Sequence, residues 1–226
     1  VAGCFQMPLP IEPLKPCTLG GPALGMDIDI VDETGESVVG DHERGYLVAR
    51  SSSPPMTNSL WSGDQRYLEE YWSTWDDVWD HGDWARQDED GSWFLLGRAD
   101  DAINVAGRKV GPAEIEGTLI DHPAVNQAAV AGVPDEVKGE EIVAFVVTES
   151  GASESDALRE ELADLVADEV GKPYRPREVL FVDTYPKTHS GKILRRAIGQ
   201  IYTDGDTGDL SSLENPAALD EIANAR

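Results

Sequence analysis

Lysine is scarce in this chain: six residues in 226, so that with twelve arginines only 18 cations face 43 Asp and Glu, and the formal net charge is −25. Such an anion is a poor partner for nucleic acid, whose affinity for proteins comes largely from Lys and Arg neutralising phosphates, and anionic membrane surfaces are disfavoured for the same reason. Cysteine is nearly missing. Cys4 and Cys17 fit no zinc or redox spacing, and two isolated thiols fit a reducing cytoplasm. No apolar run is long enough to span a bilayer, and no charged-then-apolar leader of the signal-peptide type is visible. The acids are dispersed along the chain rather than gathered in a tail. With so little lysine, this predicts adaptation to high salt, where self-repulsion is screened and hydrated carboxylates keep a protein in solution, and hence a halophilic source. The chain opens on Val1, and Val1 to Cys17 reads as an irregular, proline-rich segment, which predicts a fragment or a processed product.

What is present divides into two regimes. A hydrophobic content of 40% supplies a core, and the length allows one large domain or two small ones. Residues 18 to about 97 read as β-rich. Asp27 to Asp32 alternates polar and apolar, Gly45 to Ala49 is a second strand candidate, and Asp88-Glu89-Asp90-Gly91 before Ser92 to Leu96 is a hairpin signal. Asp64 to Trp79 carries Tyr67, Leu68, Tyr71 and Trp72 at helical spacing. Five of the six tryptophans fall between 61 and 84, which reads as packing rather than chemistry. From about 101 to 200, helices and strands alternate. Pro112 opens a helix to Ile120, Gln127 to Val133 and Ile142 to Val147 are buried-strand runs, and Val179 to Val182 is another strand. Ser153 and Asp156 form a capping box for a helix whose apolar face is Leu158, Leu162, Leu165, Val166 and Val170, ended by Gly171 and Pro173. The Asp/Gly/Ser-rich stretch from Tyr202 to about 215 reads as mobile, with a short helix near the C-terminus.

Two clusters carry chemistry. Pro186-Lys187-Thr188-His189-Ser190-Gly191-Lys192 is a glycine turn delivering a lysine just before the basic Ile193-Leu194-Arg195-Arg196, in a chain otherwise poor in cations. An ammonium held this way suits phosphate or carboxylate oxygens, and a solvated helix start is the equally simple reading of the turn alone. The second runs from Gly82-Asp83 through Gly97-Arg98-Ala99-Asp100-Asp101 to Gly107-Arg108-Lys109-Val110-Gly111-Pro112-Ala113-Glu114-Ile115-Glu116. Asp83 can accept two hydroxyls, as a ribose needs. Arg98 is a bidentate anion clamp. Asp100-Asp101 lies where the two regimes meet, the place for a hinge, and Gly107 allows another molecule close to the backbone.

Together these motifs resemble the adenylate-forming acyl-CoA synthetase family, over most of the chain from about 17 to 200. The run from Arg66 to Trp72 and on to Gly91 looks most like the acetyl- and other short- to medium-chain acyl-CoA synthetases. The fold implied is α+β: residues 1–99 as the β-rich end of a large AMP-binding body, 100–202 as a small mobile C-terminal domain, and 203–226 as an acidic tail. By the same resemblance Asp83 binds the ribose of ATP and of the acyl-adenylate, Arg98 and Lys109 contact the nucleotide and its phosphates, and Asp100 is the pivot. Lys192 reaches the carboxylate and the α-phosphate. Ala106, Gly107 and Arg108 line the CoA tunnel, and Ile120, His122 and Val125 hold Mg2+, mainly through backbone oxygens. A helix-end role for the His122 ring is the equal alternative.

The implied chemistry is carboxylate plus ATP and CoA giving acyl-CoA, AMP and pyrophosphate, in acyl-CoA or fatty-acid metabolism, through a domain that presents different faces to the two half-reactions. The family's glycine-rich phosphate loop and its adenine motif are absent, so the expected partner is an N-terminal body, without which this chain is inactive. Two positions depart from the family: Ala106 stands where acetyl-CoA synthetases carry Ser, and Ala167 where some relatives carry a CoA-binding arginine. The alternatives are a stand-alone nucleotide- or CoA-binding regulatory module, and an adenylation domain that loads a carrier protein.

Overall fold

The computed structural model describes residues 5–11, 13–54 and 56–226. Cys4, Pro55 and the first residues of the leader lie outside the described residues. Cys17 is a free, exposed thiol. The chain divides into two compact units, the first ending at Asp100 and the second beginning at Asp101.

The first unit contains β1 (Gln6–Met7), β2 (Gly21–Pro22), β3 (Ile28–Val31), β4 (Arg44–Ala49), α1 (Asp64–Tyr71), β5 (Trp79–Gln87) and β6 (Trp93–Arg98). β3 to β6 form an antiparallel meander in sequence order. The period-two pattern sorts its side chains: Ile28, Ile30, Leu47, Ala49, Ala85 and Trp93 make one core, and Val31, Val48 and Val78 make another with Tyr46 and Trp75. Of the aromatic stripe on α1, Tyr67 is buried, whereas Leu68 is half exposed. The leader is tethered, since β1 pairs antiparallel with β2 and the Ala23 N–H donates to the Phe5 carbonyl at 2.9 Å.

The second unit contains β7 (Ile103–Val105), β8 (Arg108–Val110), α2 (Pro112–Ile120), β9 (Val125–Asp135), β10 (Gly139–Thr148), α3 (Asp156–Glu169), β11 (Glu178–Phe181), α4 (Arg195–Tyr202) and α5 (Ala217–Asn224). β10 pairs antiparallel with β9 and parallel with β11, and meets β7 at Gly139 opposite Val105. It is buried on both faces, which is why it reads as a continuous apolar run. Ile142, Ala144 and Val146 face α2 and α3 through Ile115, Leu119, Leu158, Leu162 and Val166. Val143 and Phe145 face Leu180, Tyr185, Ile198, Tyr202 and Ile222 on the side of α4 and α5.

Two expectations change here. The cap of α3 is Ser155, whose side chain accepts from the Leu158 N–H at 3.3 Å, rather than Ser153, because only Ser155 stands directly before the first free amides. The end of the stretch expected to be mobile is tied down. His189 N–H donates to the Ser212 carbonyl and Glu214 N–H to the Lys187 carbonyl, and α5 buries Ala218 and Ile222. Hydrogen bonds to a neighbouring turn, invisible to composition, hold it.

Candidate functional site

In the first unit, β5 and β6 pair with Asp83 opposite Arg98. Gly82 has φ +78, and a Cβ there would lie 2.8 Å from Arg98 Nη1, so this glycine serves both the backbone and the seating of the guanidinium. The Gly82 N–H donates to Asp80 Oδ1 at 2.8 Å. Arg98 donates through Nε to Asp100 Oδ1 at 2.8 Å and through Nη2 to Asp100 Oδ2 at 3.1 Å. This fork holds the Asp100 carboxyl below its ordinary value. Asp83, 17% exposed at its side chain, has Oδ2 at 2.5 Å from His81 Nδ1. Three of the residues read from sequence, Asp83, Arg98 and Asp100, therefore form one patch. A half-buried carboxylate beside a guanidinium can accept vicinal hydroxyls and offer a cation to a phosphate.

In the second unit, Ala106 (φ 52) and Gly107 (φ 80) form the two-residue turn between β7 and β8, both in the left-handed region that such hairpins demand. The Ala106 N–H donates to the Lys138 carbonyl at 2.7 Å. A Cβ on Gly107 would meet nothing within 4 Å, so φ requires the glycine, and the tip stands open to a visitor. Arg108 and Lys109 follow on β8, both exposed.

The lysine turn is a small hairpin. Thr188 N–H donates to the Lys192 carbonyl at 2.8 Å, Gly191 N–H to the Thr188 carbonyl at 2.7 Å, and Leu194 N–H to the Pro186 carbonyl at 2.9 Å. Lys192 N–H donates to Thr188 Oγ1 at 3.1 Å. The Lys192 side chain is exposed, and its ammonium has no hydrogen-bond or ion-pair partner among the described residues. Directly behind it, Arg195 donates Nε and Nη2 to Glu116 Oε1 and Oε2 at 2.7 and 2.6 Å. Glu116, 6% exposed, also accepts the Val130 N–H at 3.0 Å. A buried carboxylate needs such a full set of donors, and this one joins α2, β9 and the start of α4.

The 120–125 turn joins α2 to β9. The His122 carbonyl accepts from the Val125 N–H at 3.0 Å, its Nδ1 accepts from the Ala124 N–H at 3.2 Å, and Nε2 lies 3.3 Å from Glu161 Oε1. Both ring nitrogens are engaged, so any cation here fits main-chain oxygens, the donors a hard ion takes. Among the described residues no group of three or more His, Cys, Asp or Glu could hold a metal. Sequence reading gave no role to His81, Glu116, Arg195 or Asn215. Glu116 and Arg195 lie within the two motifs, but their 79-residue separation carries no local signal.

Residues 114–192 match the family model of the AMP-binding enzyme C-terminal domain. Over nearly all its length the chain is similar to the acetyl-coenzyme A synthetases of Pyrobaculum aerophilum, 42% identical over 215 residues, and of Methanothrix soehngenii, 43% identical over 225 residues. These matches cover 95% and 96% of this chain but 32% and 33% of those proteins, so it spans about a third of the curated relatives' length. The acetoacetyl-CoA synthetase structure from Streptomyces lividans matches 98% of this chain and 34% of that one, at TM-score 0.84 and 26% identity. An anthranilate CoA ligase in complex with anthranoyl-AMP matches 89% of this chain and 40% of that one, at 0.74 and 30%. Residues 114–192 thus carry the AMP-binding enzyme C-terminal domain.

Proposed function

We propose that this chain supplies the lysine-bearing domain and the ribose-binding strands of an AMP-forming acyl-CoA synthetase acting on acetate or another short carboxylate, with Mg-ATP and CoA as co-substrates, in the cytoplasm. The observation that carries the reading is Lys192: an exposed ammonium, without a partner among the described residues, on a hydrogen-bonded turn, in a chain where acids outnumber cations by more than two to one.

In the first half-reaction a carboxylate oxygen attacks the α-phosphorus of ATP, the new P–O bond forms as the bond to pyrophosphate breaks, and acyl-adenylate results. Lys192 meets the charge on the α-phosphate oxygens, which requires only a protonated amine. Asp83 accepts the ribose hydroxyls, and Arg98 and Lys109 contact the nucleotide. In the second, the CoA thiolate attacks the acyl carbon and AMP leaves, with Ala106, Gly107 and Arg108 beside the thiol arm. Asp100 is the pivot that lets one domain serve both steps. The main-chain oxygens of Ile120, His122 and Val125 would hold a Mg2+ at their turn, where it would supply charge only.

The test uses the catalytically complete protein, with the length that the relatives have and this chain does not span. Lys192→Ala is expected to lower adenylation, read as pyrophosphate release across a panel of carboxylates, by roughly 100- to 1000-fold. Thioester formation from preformed acyl-adenylate should survive. Equal loss of both half-reactions would refute the assignment.

A further inference from the structure

The lysine turn is a two-stranded hairpin at the surface, and a hairpin alone is marginally ordered in water. Here it has a third segment. Residues 212–215 run along its outer edge: His189 N–H donates to the Ser212 carbonyl at 3.1 Å, Thr188 bridges Leu213, and Glu214 N–H donates to the Lys187 carbonyl at 2.8 Å. Asn215 closes the segment with its side chain. Its Oδ1 accepts from the Lys187 N–H at 2.8 Å and its Nδ2 donates to the Tyr185 carbonyl at 2.7 Å. One amide thus grips the incoming arm of the turn at two backbone positions.

Both ends of this arrangement are anchored. Tyr185 is fully buried, and its hydroxyl donates toward the Phe145 and Gln127 carbonyls at 2.9 and 3.0 Å. Lys187 Nζ donates to Gln127 Oε1 at 3.2 Å. Beyond Asn215, α5 begins almost at once, burying Ala218 and packing Ile222 against β10 and β11. The segment therefore joins two fixed points and lies across the outside of the turn.

We infer that residues 212–215 are a splint for the lysine turn and that Asn215 is a positioning residue for Lys192. The inference rests on the proposed role of Lys192. A long flexible side chain is useful only if its backbone is held, because an ångström of displacement at the reacting group can cost about 100-fold in rate. The splint acts on the lysine face of the domain. The Ala106-Gly107 tip belongs to another hairpin and is not touched by it.

The test has two arms. In this chain, Asn215→Ala should speed hydrogen exchange at the Lys187 and His189 amides, with exchange in β10 unchanged. In the catalytically complete protein the same variant should lose roughly 10- to 100-fold in pyrophosphate release, while thioester formation from preformed acyl-adenylate is unchanged. Asn215→Asp, which keeps the acceptor for Lys187 N–H and loses the donor to Tyr185, should fall between. Faster exchange with full adenylation would overturn the positioning role, as would equal loss in both half-reactions. A harmless Lys192→Ala would instead remove the functional reading on which the inference stands.

Discussion

Gly107 shows how much one backbone angle decides. At φ +80 it occupies a region where an L-residue costs about 1–2 kcal/mol, while the space around its missing Cβ is empty. Gly107→Ala should therefore lower the stability of the second unit by about that amount through strain alone, read as a shift in urea midpoint at constant slope; no shift would mean the hairpin relaxes freely. Ala106, at φ 52, carries the same kind of strain in the resting protein. Ala106→Gly should raise stability by up to about 1 kcal/mol. Asp83 and Arg98 were legible as chemistry because their residue types and glycine neighbours are unusual. Their neighbours His81 and Asp100 each stand only two residues away along the chain, and side-chain direction alone brings them together.

Among the elements, the start of α4 depends on a contact made across the fold. Arg195→Met leaves Glu116 buried without its fork and should cost about 3–5 kcal/mol, because an uncompensated buried charge is more expensive than a missing pair. The double change Glu116→Met with Arg195→Met should recover much of that loss but not all, since the Val130 N–H then has no acceptor. A thermodynamic cycle measured by denaturation checks this, and simple additivity of the two single changes would contradict it. Most elements were visible beforehand. The helix from Pro112, the strand runs around β9 and β10, and the hairpin at Asp88 to Gly91 all follow from local pattern. The cap of α3 was misplaced by two residues, because Ser153 and Ser155 look alike until backbone geometry distinguishes them. The 203–215 stretch read as loose because its Gly, Asp and Ser content describes its local preferences and not its partners.

For the whole molecule, charge and buried phenols set the response to conditions. Burial pushes the Tyr185 hydroxyl well above the ordinary 10, and burial with the Glu178 hydrogen bond raises Tyr202. Both phenols are acids that stay neutral longer in the folded state. Their stabilising contribution is complete below pH 10 and is lost as pH climbs from there toward the raised folded values. Stability should thus fall steeply above about pH 10, and Tyr185→Phe should flatten that fall while lowering stability at neutral pH by about 1 kcal/mol. A pH series of thermal midpoints reads both. A net charge of −25 adds self-repulsion. Raising salt from about 0.1 M to about 1 M shortens the Debye length from about 10 to about 3 Å, so the thermal midpoint should rise; a maximum at low salt would remove the case for a halophilic source. Among the described residues no helix is long and apolar enough to cross a membrane.

By itself the sequence determined the alternating elements, the boundary near Asp100, the glycine turns and the unusual lysine at 192. Each of these is a local property: periodicity, conformational preference, or the rarity of one residue type. The tertiary structure decided what those residues hold on to. It set Glu116 under Arg195 and Asn215 against the lysine turn, since hydrogen bonds between positions far apart in sequence exist only once the sheet has brought their backbones together.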